Sequence, residues 1–184
     1  MTAAERHRDV AGRFAGHVAA VTDWDAPVPV DGWVARDVVA HLVEWLPGLL
    51  AADGEELGAV PPVADGPVAA WTAHAAAVQA LLDAPDADRP FTHQHLGTLP
   101  LEDAIDRFYT SDVFMHTWDL AQAAGRPSGL PELECAEMLA GMEPHDAMLR
   151  SSGQYGPRVE VPGDAPAEER LAAFIGRDPQ WRSR

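Results

Sequence analysis

The most informative segment of the sequence is residues 100–125, PLEDAIDRFYTSDVFMHTWDLAQAAG. It opens with a proline, which suits the first turn of a helix, and it closes with a glycine, which suits the residue after a helix. Leu101, Ile105 and Phe108 recur at helical spacing and predict the buried stripe of one long helix. Because such a helix needs other helices to cover its apolar face, the segment favours a helix bundle.

The buried stripe of this helix turns polar in its second half. Steps of three and four residues beyond Phe108 reach Asp112, His116 and Asp119. At about 100° per residue, Asp112 and His116 lie only about 40° apart around the helix, so their side chains point to the same region. A carboxylate and an imidazole arranged in this way form a two-ligand clamp for a metal ion.

A second helix, beginning near Val34, contains the same anomaly, because His41 lies in an otherwise apolar stripe. If the two helices face each other, His41 lies opposite Asp112 and His116. Two imidazoles and one carboxylate suit a first-row divalent cation, with Zn²⁺ as the first expectation and Ni²⁺ or Fe²⁺ as alternatives. Three protein ligands leave a position open for water or substrate. The competing interpretation is that all three are core polar residues satisfied by hydrogen bonds.

Other polar residues lie near these candidates. Asp119 is expected to orient the site, by accepting a hydrogen bond from an imidazole or by holding an arginine, without touching the metal. Glu44, which follows His41 by one turn, is either a base behind the metal ligands or a solvated residue of the exposed face. His93 and His95 would project to one side of a strand, which permits metal binding, although a surface loop explains them equally well.

Periodicity and turn residues divide the rest of the chain into further helices. Thr2 and Glu5 form a capping-box pattern for the first of them, and Pro47 is expected to kink the second. Residues 89–100 are expected to form a small hairpin or an extended loop. The predicted helices span about residues 3–21, 34–52, 67–84, 100–124, 131–150 and 166–176. This pattern indicates an all-α fold, and the absence of a low-complexity linker favours one domain over residues 1–184.

Composition excludes several classes of protein. The chain has 184 residues, 47% of them hydrophobic, which is typical of a globular domain with a substantial core. Its formal charge of −16 repels nucleic acid and anionic membranes, so neither is an expected partner. The polar N-terminus and the lack of a long apolar run favour a soluble cytoplasmic protein. Cys135 has acidic neighbours and is expected to be a buried, inert thiol.

Three segments resemble a known superfamily. Residues 29–45, PVDGWVARDVVAHLVEW, and residues 111–127, SDVFMHTWDLAQAAGRP, look like two signatures of DinB-like proteins related to mycothiol-dependent maleylpyruvate isomerase. Residues 174–181, FIGRDPQW, are similar to the end of an uncharacterised actinobacterial metal-binding branch. The resemblance implies a DinB-like four-helix bundle with extra short C-terminal helices. It also implies a divalent metal held by His41, Asp112 and His116, although the isomerase usually has glutamate in place of Asp112.

The resemblance further implies a mycothiol-dependent transferase or isomerase, in which the metal activates a small-molecule thiol toward an electrophilic substrate. Two alternatives stay open at this stage. One is a metal-dependent hydrolase with Glu44 as the base, and the other is a noncatalytic metal- or small-ligand-binding protein. The exposed faces of the long helices are also suited to pairing in a homodimer.

Overall fold

The computed structural model describes residues 1–182 and is mostly helical, as predicted. None of its described helices is both long and apolar enough to cross a membrane. The longer helices are α1 (Ala3–Val18), α2 (Ala35–Ala51), α3 (Pro67–Leu82), α5 (Ser111–Ala123), α6 (Glu132–Met142) and α8 (Ala167–Phe174). The shorter elements are strands β1 (Pro90–His93) and β2 (Gly97–Pro100), helix α4 (Leu101–Ala104), a π-helical segment (Ile105–Thr110), a 3₁₀ turn (Glu143–His145) and α7 (Asp146–Ser151).

The central architecture is a ring of four helices. Helix α1 packs against α3 and α5, and α2 packs against the same two helices from the other side. Helices α6 and α8 pack against each other beside this bundle. The apolar residues of all these helices form a continuous core, which includes Phe14, Leu42, Trp71 and Phe114. The arrangement brings the polar part of α5 next to α2.

Residues 90–100 form a hairpin, which is the first of the two alternatives predicted for this segment. Strands β1 and β2 pair antiparallel, with Phe91 opposite Leu99 and His93 opposite Gly97. Phe91 is buried, which anchors the hairpin to the bundle. Gly97 has a positive φ of 72°, a conformation that glycine adopts without steric cost.

Several helix boundaries differ from their predictions. The capping box of α1 is confirmed, because Thr2 and Glu5 exchange backbone and side-chain hydrogen bonds of 2.8 and 3.2 Å. Helix α1 nevertheless ends at Val18, three residues early, in a tighter turn in which Ala20 N–H donates to His17. The predicted helix over 131–150 was wrong as a single element. Pro144 lies in the 3₁₀ turn between α6 and α7, and it has no N–H to continue a helix.

The prediction that Phe108 belongs to the buried stripe was also wrong. Phe108 is 38% exposed, whereas the adjacent Tyr109 is fully buried. The cause is the π-helical segment, because a π turn holds more residues than an α turn and so rotates the residues that follow it. Leu101 precedes the π-helical segment and Ile105 is its first residue, and both are buried as expected.

This change of register leads to a prediction about stability. Ile105→Ala should lower the free energy of unfolding by about 2–5 kcal/mol, because it opens a cavity in the core. Phe108→Ala should cost only about 1 kcal/mol, because part of the ring is already in water. Urea unfolding of both variants measures the difference. Equal losses would contradict the π-helical register and support a regular α-helix.

Cys135 is a buried thiol, as predicted. Burial raises the pKa of the Cys135 thiol to about 12, and the nearby carboxylates of Glu168, Glu132 and Glu134 act in the same direction. A thiol with so high a pKa is protonated near neutral pH and is a poor nucleophile. The chemistry of this protein must therefore be sought elsewhere.

Candidate metal centre

The three predicted metal ligands lie together between α2 and α5. The Nε2 atom of His41 is 3.0 Å from Oδ2 of Asp112, and Nε2 of His116 is 3.6 Å from Oδ1 of the same carboxylate. One donor atom from each residue lies within 4.8 Å of the other two. Helical spacing aligns Asp112 with His116 on α5, and the packing of α2 against α5 adds His41.

This donor set fits a small divalent cation. Two donors that each lie about 2.0–2.2 Å from a tetrahedral cation are about 3.3–3.6 Å apart. The three donor atoms here lie within 4.8 Å of one another, so small side-chain adjustments would let them share one cation. Imidazole nitrogen and carboxylate oxygen are ligands that first-row divalent metals accept. The residues His41, Asp112 and His116 could therefore hold a metal ion, although the donor set does not identify which metal.

Two tryptophans surround these three residues, here called the triad. The indole N–H of Trp45 donates to Oδ2 of Asp112 at 3.0 Å, which leaves Oδ1 as the oxygen without that hydrogen bond. The Trp33 ring stacks on His116, with ring centroids 5.8 Å apart and planes 12° apart. Trp33 also lies 5.2 Å from the His41 ring. These contacts restrict the orientations of all three triad side chains.

The triad is partly accessible to solvent. The His41 side chain is 33% exposed and Asp112 is 21% exposed, whereas His116 is 7% exposed. A small molecule would therefore approach along the His41 side. His116 is almost completely buried, so its role depends on the buried groups behind it.

Asp119 and Arg177 are those buried groups. Nδ1–H of His116 donates to Oδ2 of Asp119 at 2.8 Å. Asp119 is completely buried, and the Arg177 guanidinium donates to both of its carboxylate oxygens at 3.1 Å. Asp119 thus contacts an imidazole and an arginine at once, the two contacts that its position on the helix suggested.

Glu44 lies elsewhere. It is exposed on α2, and the described part of the chain contains no hydrogen bond from its side chain to the triad. This position agrees with the prediction in which Glu44 is a solvated residue of the exposed face. Glu44 is therefore not placed to orient a metal ligand. The residue of α2 that does contact the carboxylate is Trp45.

Two triad residues, Asp112 and His116, have pKa values displaced from their ordinary ones. Burial alone would raise the pKa of Asp112, but the positive charge of His116 and hydrogen bonds from His41 and Trp45 hold it below its ordinary value. Burial would lower the pKa of His116, but the carboxylates of Asp112 and Asp119 raise it above its ordinary value. Since a metal ion needs the unprotonated Nε2 of His116, protons compete with the metal at this site.

Sequence reasoning missed two of these roles. Trp45 follows His41 by four residues on the same face of α2, so its contact with Asp112 could have been found by extending the stripe. Arg177 is separated from Asp119 by 58 residues, and no periodicity connects the two. Only the path of the chain after α8 brings that guanidinium to the site.

Comparison with known proteins identifies the family of this chain. Residues 7–121, which include the whole triad, match the family described as the mycothiol maleylpyruvate isomerase N-terminal domain. The chain is also 33% identical over 155 residues to two uncharacterized proteins of Mycobacterium tuberculosis, from strains CDC 1551 and H37Rv, covering 82% of this chain and 83% of each relative. No solved structure matches the chain significantly. The chain therefore belongs to the mycothiol maleylpyruvate isomerase N-terminal domain family, within the DinB-like superfamily.

Proposed function

We propose that this protein is a metal- and thiol-dependent transferase or isomerase that uses mycothiol or a similar low-molecular-weight thiol. The observation that carries the proposal is the convergence of His41, Asp112 and His116 at a partly exposed site, in a family named after a mycothiol-dependent isomerase. A divalent cation, with Zn²⁺ as our first expectation, lowers the pKa of a coordinating thiol and so supplies a thiolate nucleophile near neutral pH.

The chain's own residues would prepare the site for this chemistry. His41, Asp112 and His116 supply three ligands, which leaves a coordination position for the thiol. Trp45 holds one oxygen of Asp112 through its indole N–H, so the carboxylate cannot rotate freely. Trp33 covers the His116 ring and shields that side of the site from water. The exposed edge at His41 is where a thiol and an electrophilic substrate would enter.

Substitution with Co²⁺ tests the thiol proposal. Addition of mycothiol to the Co²⁺ protein should produce an intense near-ultraviolet sulfur-to-cobalt charge-transfer band. The same titration of His116→Ala should produce none. Because the thiol binds in its deprotonated form, the apparent affinity should strengthen as pH rises toward the pKa of the free thiol, about 8.5 if it resembles cysteine. Cys135→Ser is the control, because it shows that the band does not come from the protein's own buried thiol.

The alternatives give different results in the same assays. If the spectrum of the Co²⁺ protein does not change on addition of thiol at any pH, yet the protein hydrolyses test esters, the proposal is contradicted and a metal-dependent hydrolase is supported. A protein that binds metal but does neither would support a noncatalytic binding role.

A further inference from the structure

The ion pair between Arg177 and Asp119 is the most enclosed arginine–carboxylate pair in the described part of the chain. The Arg177 side chain is 11% exposed and Asp119 is 0% exposed. The contact is bidentate, with Nε donating to Oδ1 and Nη2 to Oδ2, both at 3.1 Å. Separating the two side chains would leave a buried charge without its partner, so the ion pair restricts the position of both side chains.

Asp119, held by Arg177, in turn fixes the orientation of the His116 ring. Its Oδ2 accepts the Nδ1–H of His116 at 2.8 Å, while Nε2 of the same ring faces Asp112 at 3.6 Å. An imidazole held in this way keeps its proton on Nδ1 and presents Nε2 to the triad. A carboxylate free to rotate would hold neither the ring orientation nor the tautomer.

The backbone around Arg177 is itself held in place. The Arg177 N–H donates to the Ala172 carbonyl at 2.9 Å, and its Nη1 donates to the Ile175 carbonyl at 3.1 Å. Gly176 has a positive φ of 88°, and a Cβ atom there would lie 2.6 Å from Cα of Gly156. Only glycine permits this close backbone approach, which sets the guanidinium against Asp119.

We propose that Arg177 is a positioning residue of the metal site, acting through Asp119 on the ring of His116. The C-terminal segment after α8 is then part of the metal centre, although it lies outside residues 7–121 that match the family. The inference rests on the metal site of the proposed function and does not depend on the thiol.

The first test uses Arg177→Gln, with Arg182→Gln as the matched control. Both remove one arginine charge from the same segment, but Arg182 is exposed, and among residues 1–182 it donates hydrogen bonds to the Pro179 and Trp181 carbonyls and not to Asp119. In nitrogen-15 NMR spectra of the metal-free protein, Arg177→Gln should speed solvent exchange of the His116 Nδ1–H at least tenfold. It should also weaken Zn²⁺ binding about 10–100-fold. Arg182→Gln should change neither quantity.

A double-mutant cycle with Asp119→Asn tests whether Arg177 acts through Asp119. If Arg177 acts through Asp119, the double variant should bind Zn²⁺ about as well as the weaker single variant. If the two residues act independently, the fold-losses in affinity should multiply. Multiplied losses would overturn the proposal.

Gly176→Ala gives a second approach that keeps the guanidinium. The added Cβ should displace the segment and reproduce the effect of Arg177→Gln on the His116 Nδ1–H. Gly153→Ala is its control, because Gly153 also has a positive φ, 74°, but has open space around its Cβ position. An unchanged Nδ1–H exchange rate in folded Arg177→Gln would overturn the inference. Because that measurement needs no metal, it decides the inference even if the proposed function fails.

Discussion

Asp112→Asn should weaken the binding of a divalent cation by about 100-fold or more while the bundle stays folded. Mutating a residue that hydrogen-bonds a metal ligand typically lowers metal affinity about 10–100-fold. The loss for Asp112→Asn should be larger, because Asp112 is itself a candidate ligand and the only anionic member of the triad. Asparagine has nearly the same shape and can still accept the Trp45 N–H, so packing should change little. Competition titration with a chromophoric chelator measures the affinity, and circular dichroism measures the helix content.

Two further variants sharpen this test. Asp103→Asn makes the same change of charge at an exposed position of α4 and should leave affinity unchanged. Asp112→Glu keeps the charge and should bind metal better than Asp112→Asn. If Asp112→Asn binds metal as tightly as the parent but melts much earlier, the carboxylate is a structural hydrogen-bond acceptor and the metal-site interpretation is wrong.

The double variant His41→Ala, His116→Ala should lose stoichiometric metal altogether. It removes two of the three donors, and the remaining carboxylate cannot compete with water for a first-row cation. Elemental analysis of the purified protein measures the metal content. Added metal should raise the melting temperature of the parent, because it binds only the folded state, and should not raise that of the double variant.

His93→Ala, His95→Ala is the control for that experiment. It also removes two histidines, whose rings lie 5.5 Å apart at the tip of the hairpin, and His95 is exposed. Its metal content should equal that of the parent. Stoichiometric metal in the triad variant together with its loss from the hairpin variant would place the metal at the hairpin and refute the triad.

The helical fold class and the three candidate metal ligands could be predicted from the sequence, whereas for residues 89–100 the sequence allows either a hairpin or an extended loop. The fold class and the ligands depend on short-range geometry. The α-helix sets Asp112 and His116 on one face four residues apart, and the same periodicity marks His41 as a polar residue in an apolar stripe. Once two such helices share a bundle, burying a carboxylate and two imidazoles favours their meeting.

Other features of the core and of the site depend on how distant parts of the chain pack together. Because of the π-helical segment, Tyr109 and not Phe108 lies in the core. This register depends on how the whole helix packs against its neighbours. Trp33 reaches His116 from a loop, and Arg177 reaches Asp119 from a segment 58 residues further along the chain. Periodicity carries no information about such contacts, because they depend on where distant backbones run after the helices have packed.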